Sequence, residues 1–174
     1  MINEVIKKRR NKVAIKEGYI DLLIRIIILA ILGYLFFTQV FLLARARGNE
    51  MFPAVKDGDL IIGFRLQRHY EKNDVITYKV NGERKVGRYM AQEGDVVTMD
   101  DTGTLLVNSA VQSGEIMYPT YAKEGIEYPY RVPENQVFIL ADYRTQAKDS
   151  RDFGAIDMDD LEGKVISILR RRGL

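Results

Sequence analysis

The chain has 174 residues, 47% of them apolar, and a net charge of +2. That length holds one ordinary domain plus a short extra element, the apolar content excludes a disordered chain, and the near-neutral charge excludes a dedicated nucleic-acid binder. With no cysteine and one histidine, His69, disulfides, thiol nucleophiles and Cys-rich zinc sites are excluded; nothing in the residue pattern asks for a cofactor or a metal.

Residues 1–18 are polar and basic, with Lys7, Lys8, Arg9, Arg10, Lys12 and Lys16 against Glu4 and Glu17. An apolar run follows over residues 26–43. As a helix it rises about 27 Å, close to the hydrocarbon thickness of a bilayer. It lacks the polar face of a core helix and is longer than the apolar region of a cleaved leader, despite the Ala-x-Ala look of Ala44-Arg45-Ala46. The pattern predicts a basic tail over 1–18 and an uncleaved anchor over 19–44. Arg25 falls at the inner edge, where its side chain can reach the headgroups. The basic tail predicts a single-pass protein of the cell membrane, N-terminus cytoplasmic and residues 45–174 extracellular.

Beyond Arg47 the texture changes. Short runs rich in β-branched residues occupy 60–64, 75–80, 85–90, 95–99, 104–107, 137–140 and 164–169, punctuated by turn residues. Asn81-Gly82 between two such runs is a strong two-residue hairpin signal. The expected fold is all-β and antiparallel, barrel-like or sandwich-like, preceded by one transmembrane helix. Residues 113–132 carry few strand signals and read as an inserted loop or small subdomain. His69 lies in a polar loop, and Arg170-Arg171-Arg172 reads as a solvated end.

Three segments then appear in order. The first is Gly48-Asn49-Glu50-Met51-Phe52-Pro53-Ala54 with Asp57-Gly58-Asp59 after it. The second is Lys85-Val86-Gly87-Arg88-Tyr89-Met90-Ala91-Gln92-Glu93-Gly94-Asp95. The third is Ala141-Asp142-Tyr143-Arg144 running to Lys148-Asp149-Ser150-Arg151-Asp152-Phe153-Gly154. Together they resemble the boxes of type I signal peptidases: Gly-x-Ser-Met-x-Pro-Thr after the anchor, Lys-Arg-Val-x-Gly-x-Pro-Gly-Asp on a strand and turn, and Gly-Asp-Asn with Ser-x-Asp-Ser-Arg-x-Phe-Gly. Leu106-Val107-Asn108 is similar to a fourth family pattern. The resemblance covers nearly all of the chain after residue 20 and implies a signal-peptidase-like antiparallel β domain.

The departures fall on the chemistry. The family's nucleophile position holds Glu50, and the position of its general-base lysine, counted back from Gly94-Asp95, holds Gly87. Ala147, Tyr143 and Glu93 replace the serine, asparagine and proline of the surrounding boxes. A Ser-Lys peptidase needs an oxygen nucleophile and an amine kept neutral by burial. Neither is present at these positions, so the expectation is a non-hydrolytic protein. Lys85, two residues before Gly87, points to the same face of a strand about 6.5 Å away and can pair with Glu50. Asp142, Arg144, Asp149 and Arg151 are expected to form a structural ion-pair network behind the cleft, with Ser150 in the same structural motif. Met51, Phe52, Pro53 and Lys85 are candidates for partner contact. Residues 113–120, Ser-Gly-Glu-Ile-Met-Tyr-Pro-Thr, mimic the first box and read as coincidence.

The resemblance is narrower still to the signal-peptidase-like proteins of Gram-positive bacteria that lack the dyad and serve pilus assembly. It implies an accessory or chaperone role, with pilin subunits and a sortase as partners beside the lipid bilayer, and no nucleic acid. Two alternatives stay open. One is an active peptidase with rearranged catalytic residues, Ser109, Ser113 or Ser150 supplying the nucleophile. The other is an engineered inactive variant, against which the changes at Tyr143, Ala147 and Glu93 weigh.

Overall fold

A computed structural model describes residues 2–67, 69–112 and 118–170, with side chains described from residue 15 onward. Two compact units meet in sequence between Val40 and Phe41.

The first unit is one helix, α1, Ile2–Val40. Its apolar part, Ile15–Val40, is 26 residues long, and its most apolar 18-residue stretch holds no buried residue. Twenty-six helical residues rise about 39 Å, enough for a tilted bilayer crossing. Exposed Ile, Leu, Tyr and Phe cover every side of it, from Tyr19 to Phe37. In water such a surface is costly, whereas in lipid it is matched. Arg25 pairs with Asp21 one turn earlier at 2.8 Å. The side chains of the basic tail before residue 15 lie outside the described set.

The second unit is all-β. In chain order it holds β1 (Phe41–Arg45), β2 (Leu60–Phe64), β3 (Val75–Val80), β4 (Glu83–Ala91), β5 (Val96–Met99), β6 (Leu105–Val107), β7 (Ala110–Val111), β8 (Tyr130–Arg131), β9 (Gln136–Leu140), a one-turn helix α2 (Ser150–Phe153), β10 (Ile156–Asp157) and β11 (Leu161–Leu169). One sheet has seven strands in the order β1-β2-β11-β3-β4-β9-β10, and a second has four in the order β7-β6-β5-β8. Every pairing is antiparallel. The Asn81-Gly82 hairpin forms as expected, both residues at positive φ (52° and 81°), joining β3 to β4. The long strand β11 bends between β2 and β3 through two register shifts. At one of these Gly163 has φ +153°, and a Cβ there would lie 2.6 Å from the Phe64 carbonyl oxygen, so only glycine fits.

The helix gives way to strand earlier than the anchor expected over 19–44. Phe41 to Ala44 belong to β1, where Leu42 and Ala44 are buried and Phe41 to Arg45 pair with β2. Continuous hydrophobicity does not distinguish a spanning helix from a strand that follows without a break, and here sheet pairing captures the last four residues. Within the 113–132 segment, residues 113–117, and so most of the first-box mimic with Ser113, lie outside the described residues. Residues 118–132 contain β8, which pairs with β5. Arg171 and Arg172 also lie outside them.

Three buried clusters fill this unit. One lies around Met90, Val97, Leu105 and Phe138, and one around Ile76, Tyr78, Tyr89 and Ile139. The third, around Met51, Val55, Ile61, Ala141 and Ala147, supports the site described next.

Candidate functional site

Glu50 sits in the loop between β1 and β2, and the loop is stiff for local reasons. Asp57 accepts the Gly48 N–H at 2.7 Å, Asn49 accepts the Asp57 N–H at 3.3 Å, and Asp59 accepts the Lys56 N–H at 3.0 Å. Met51 and Val55, 3% and 2% exposed, peg it into the core. Two contacts latch it to the third box: the Tyr143 N–H donates to the Glu50 carbonyl at 2.9 Å, and the Asp142 N–H to the Met51 sulfur at 3.4 Å.

On β4, Lys85 reaches this loop. Its ammonium donates to both Glu50 carboxylate oxygens, at 2.9 and 3.0 Å. The pair that strand spacing made available is formed. Tyr78, opposite Lys85 on β3, is 1% exposed. Burial, with the charges of Asp149 and Glu50 adding to it, pushes its phenol far above the usual range, so it stays neutral.

Gly87 lies opposite Ile76 on the same strand pair. A Cβ placed on it would lie 2.4 Å from Ile139 Cγ2, 3.1 Å from Tyr78 Cε1 and 3.4 Å from the Leu140 carbonyl oxygen. Ile139 is fully buried. The space a side chain at position 87 needs is thus occupied by packed core. Sequence reasoning named Gly87 as a missing lysine but did not show that the gap was closed.

The third box forms the support. Arg88 clamps Asp142 with two bonds of 2.8 and 2.7 Å. Arg151 clamps Asp149 with two of 2.9 Å, and both residues are at most 1% exposed. Asp149 also caps α2 and accepts the Ala141 N–H at 3.1 Å. Ser150 Oγ accepts the Ile139 N–H at 3.0 Å. Arg144 departs from the expected network, because it forms no ion pair among the described residues. Its Nη1 donates to Thr120 at 2.8 Å, its carbonyl accepts from Arg151 at 2.6 Å, and Nε and Nη2 are buried without a hydrogen-bond partner. Burial lowers its pKa to about 10. The partner of Asp142 is Arg88 from the second box, a pairing that sequence order conceals.

The candidate contact residues divide. A groove of about 740 Å³ runs between β1 and the β3–β4 hairpin, with Met51, Glu50 and Lys85 in its lining. Neither Phe52 nor Pro53 lines it. Phe52, 36% exposed, packs on Tyr143 at 6.3 Å between ring centres, and Tyr143 on Tyr118 at 4.9 Å. Lys56 lies over the Phe52 ring at 5.6 Å. This aromatic row was missed, its signal being the tyrosine at position 143. His69 is exposed in a loop beside a smaller cavity of about 290 Å³. Among the described residues no three acidic or histidine side chains converge as metal ligands.

A family model described as "Signal peptidase, peptidase S26" matches residues 19–169. The chain belongs to the signal peptidase family. Signal peptidase IB of Staphylococcus aureus (strain COL) is 30% identical over 175 aligned positions, covering 88% of each chain. The probable thylakoidal processing peptidase 2, chloroplastic, of Arabidopsis thaliana is 29% identical over 134 residues, 68% of this chain but 35% of that protein. The chain therefore spans about a third of the length of that relative. The crystal structure of a signal peptidase I from Enterococcus faecalis V583 superposes with a TM-score of 0.49 at 26% identity, covering 57% of this chain and 97% of that one. As a signal peptidase family member, this chain combines antiparallel β sheets with an N-terminal apolar helix that suggests a single-pass anchor.

Proposed function

We propose that this signal-peptidase-like protein does not hydrolyse peptides and serves instead as a membrane-anchored accessory or chaperone that holds an extended client segment. The observation that carries the reading is the closure at Gly87. With Glu50 at the nucleophile position and Ile139 and Tyr78 packed where a base side chain would project, the site offers a carboxylate–ammonium pair in place of a hydroxyl and a neutral amine. A carboxylate repels the substrate carbonyl oxygen and opens no ordinary acyl route. Two of the three alternative serines do not help. Ser150 is buried and engaged with Ile139, and Ser109 stands on the exposed β6–β7 turn of the other sheet.

The client reading rests on the retained groove. A sheet edge beside it can hydrogen-bond an added strand through main chain alone, with no need for a nucleophile. The finer proposal, drawn from the resemblance to dyad-lacking proteins of pilus assembly, is that the clients are pilin subunits, met with a sortase on the outer side of the membrane. Deleting the gene from its own host and probing cell-wall extracts for pilin polymers tests this. The expected result is loss of polymer, restored by the wild-type chain and by Glu50→Ala alike. Unchanged polymer in the deletion strain overturns the pilus assignment.

A further inference from the structure

The groove between β1 and the β3–β4 hairpin carries a charge pattern that the proposed function does not use. Five cations line it, Arg45, Arg47, Lys79, Arg84 and Lys85, against the two carboxylates Glu50 and Glu83. Three of the cations are already committed. Lys85 is held by Glu50. Arg84 and Lys79 are held by Glu162, at 2.8 Å from Arg84 Nη2 and 3.5 Å from Lys79. Arg45 and Arg47 form no ion pair or hydrogen bond through their side chains among the described residues, and both are exposed. They sit two residues apart, Arg45 as the last residue of β1, the end strand of the seven-stranded sheet, and Arg47 just beyond it.

The backbone of Arg45 is also open. The Ala46 N–H donates to the Asp59 carbonyl at 2.8 Å and the Ala46 carbonyl accepts from Gly58 at 3.0 Å. Antiparallel strands alternate the side to which these groups point, so the N–H and C=O of Arg45, the last residue of β1, face the unpaired edge. Between the arginines, Ala46 is 6% exposed, above a floor that includes Met51 and Val55. Charged side chains on an edge strand commonly guard against aggregation, but lysine is the usual guard. Arginine brings a planar fork that grips a carboxylate with two parallel bonds.

We infer that the groove selects an extended client segment with acidic residues at two alternate positions and a small apolar residue between them, added as a strand along β1 and read by Arg45 and Arg47. The inference rests on the proposal that the groove holds a client strand. The alternate carboxylates would stand about 6.5 Å apart, matching the two arginines, and the small residue would fall beside Ala46.

The test uses the full chain in detergent micelles and fluorescein-labelled peptides that differ only at a central Glu-Ala-Glu, Gln-Ala-Gln or Lys-Ala-Lys, followed by fluorescence anisotropy. Two exposed ion pairs, each contributing about three- to fivefold, predict that the Glu-Ala-Glu peptide binds about tenfold more tightly than the glutamine peptide. The preference should fade with added salt. In Arg45→Glu/Arg47→Glu it should invert toward Lys-Ala-Lys. Arg45→Gln/Arg47→Gln, the milder change, should remove the preference while the thermal melt stays unchanged. Equal binding of all three peptides overturns the acidic selectivity and leaves the client groove standing. Absence of binding by any peptide to folded protein overturns the groove as well. If the substitutions alter only flotation on phosphatidylglycerol vesicles, the arginines are lipid contacts and the inference fails.

Discussion

At position 87 the difference between glycine and any other residue is a question of space. Introducing a side chain forces Ile139 or Tyr78 to move within a fully packed strand pair. Overpacking of this type costs about 1–3 kcal/mol. Gly87→Ala is therefore expected to lower the free energy of unfolding by that amount, and Gly87→Lys by at least as much, in urea unfolding followed by far-UV circular dichroism. A Gly87→Lys variant as stable as the parent would show that the pocket opens easily. Glu50 lies at the other extreme, because its side chain is 31% exposed and Lys85 is its partner. Glu50→Ala is expected to change stability by less than about 1 kcal/mol, and a larger loss in the same titration would assign the pair a structural role. That Glu50 and Gly87 are not serine and lysine was legible in the sequence through the boxes. That Gly87 is sealed was not, since Ile139 lies 52 positions away and approaches only through the pairing of β4 with β9.

The strands that could be read in advance were those long enough to show alternation or bounded by glycine and asparagine, such as β3 and β4 around Asn81-Gly82. Two-residue strands β7, β8 and β10 leave no pattern at all, and β1 was hidden inside the apolar run. The ties between elements were legible only as a list of charged residues. The Asp149–Arg151 clamp joins the cap of α2 to Ala141, the residue after β9, with both charged groups buried. Arg151→Leu would strand the Asp149 charge in the interior, and a loss of about 3–5 kcal/mol is expected; Asp149→Asn/Arg151→Leu should lose less than Arg151→Leu alone, as measured by thermal melts of both. Glu162 on β11 ties Lys79 of β3 and Arg84 of β4. The Arg84 hydrogen bonds, opposed by burial and aided by the charges of Arg84 and Lys79, hold its pKa below the ordinary carboxylate value. Its contribution to stability is thus fully present above the unfolded value of about 4.3 and is lost as pH falls through the lowered folded value. Melting temperature against pH should fall less steeply on the acid side in Glu162→Gln than in the parent. Parallel acid limbs would contradict the assignment.

For the whole molecule, the long apolar helix and the antiparallel β unit were both readable, because a long apolar run and short strands with turn residues are strong local signals. The proposed loss of hydrolysis is a property of the assembled site. It depends on Glu50, on the closure over Gly87 and on Tyr143, which replaces the boxed asparagine and packs on Phe52 and Tyr118. Restoring two side chains is not expected to restore that geometry. A misplacement of about 1 Å can cost ~100-fold in rate, and a lysine introduced at 87 must also displace Ile139. The most direct measurement is cleavage of a preprotein by the full-length chain in detergent, with wild type and Glu50→Ser/Gly87→Lys assayed beside the Staphylococcus aureus signal peptidase IB. The expected result is no cleaved product from the wild type and none above a trace from the double variant. Wild-type cleavage at a rate comparable to the control would contradict the account.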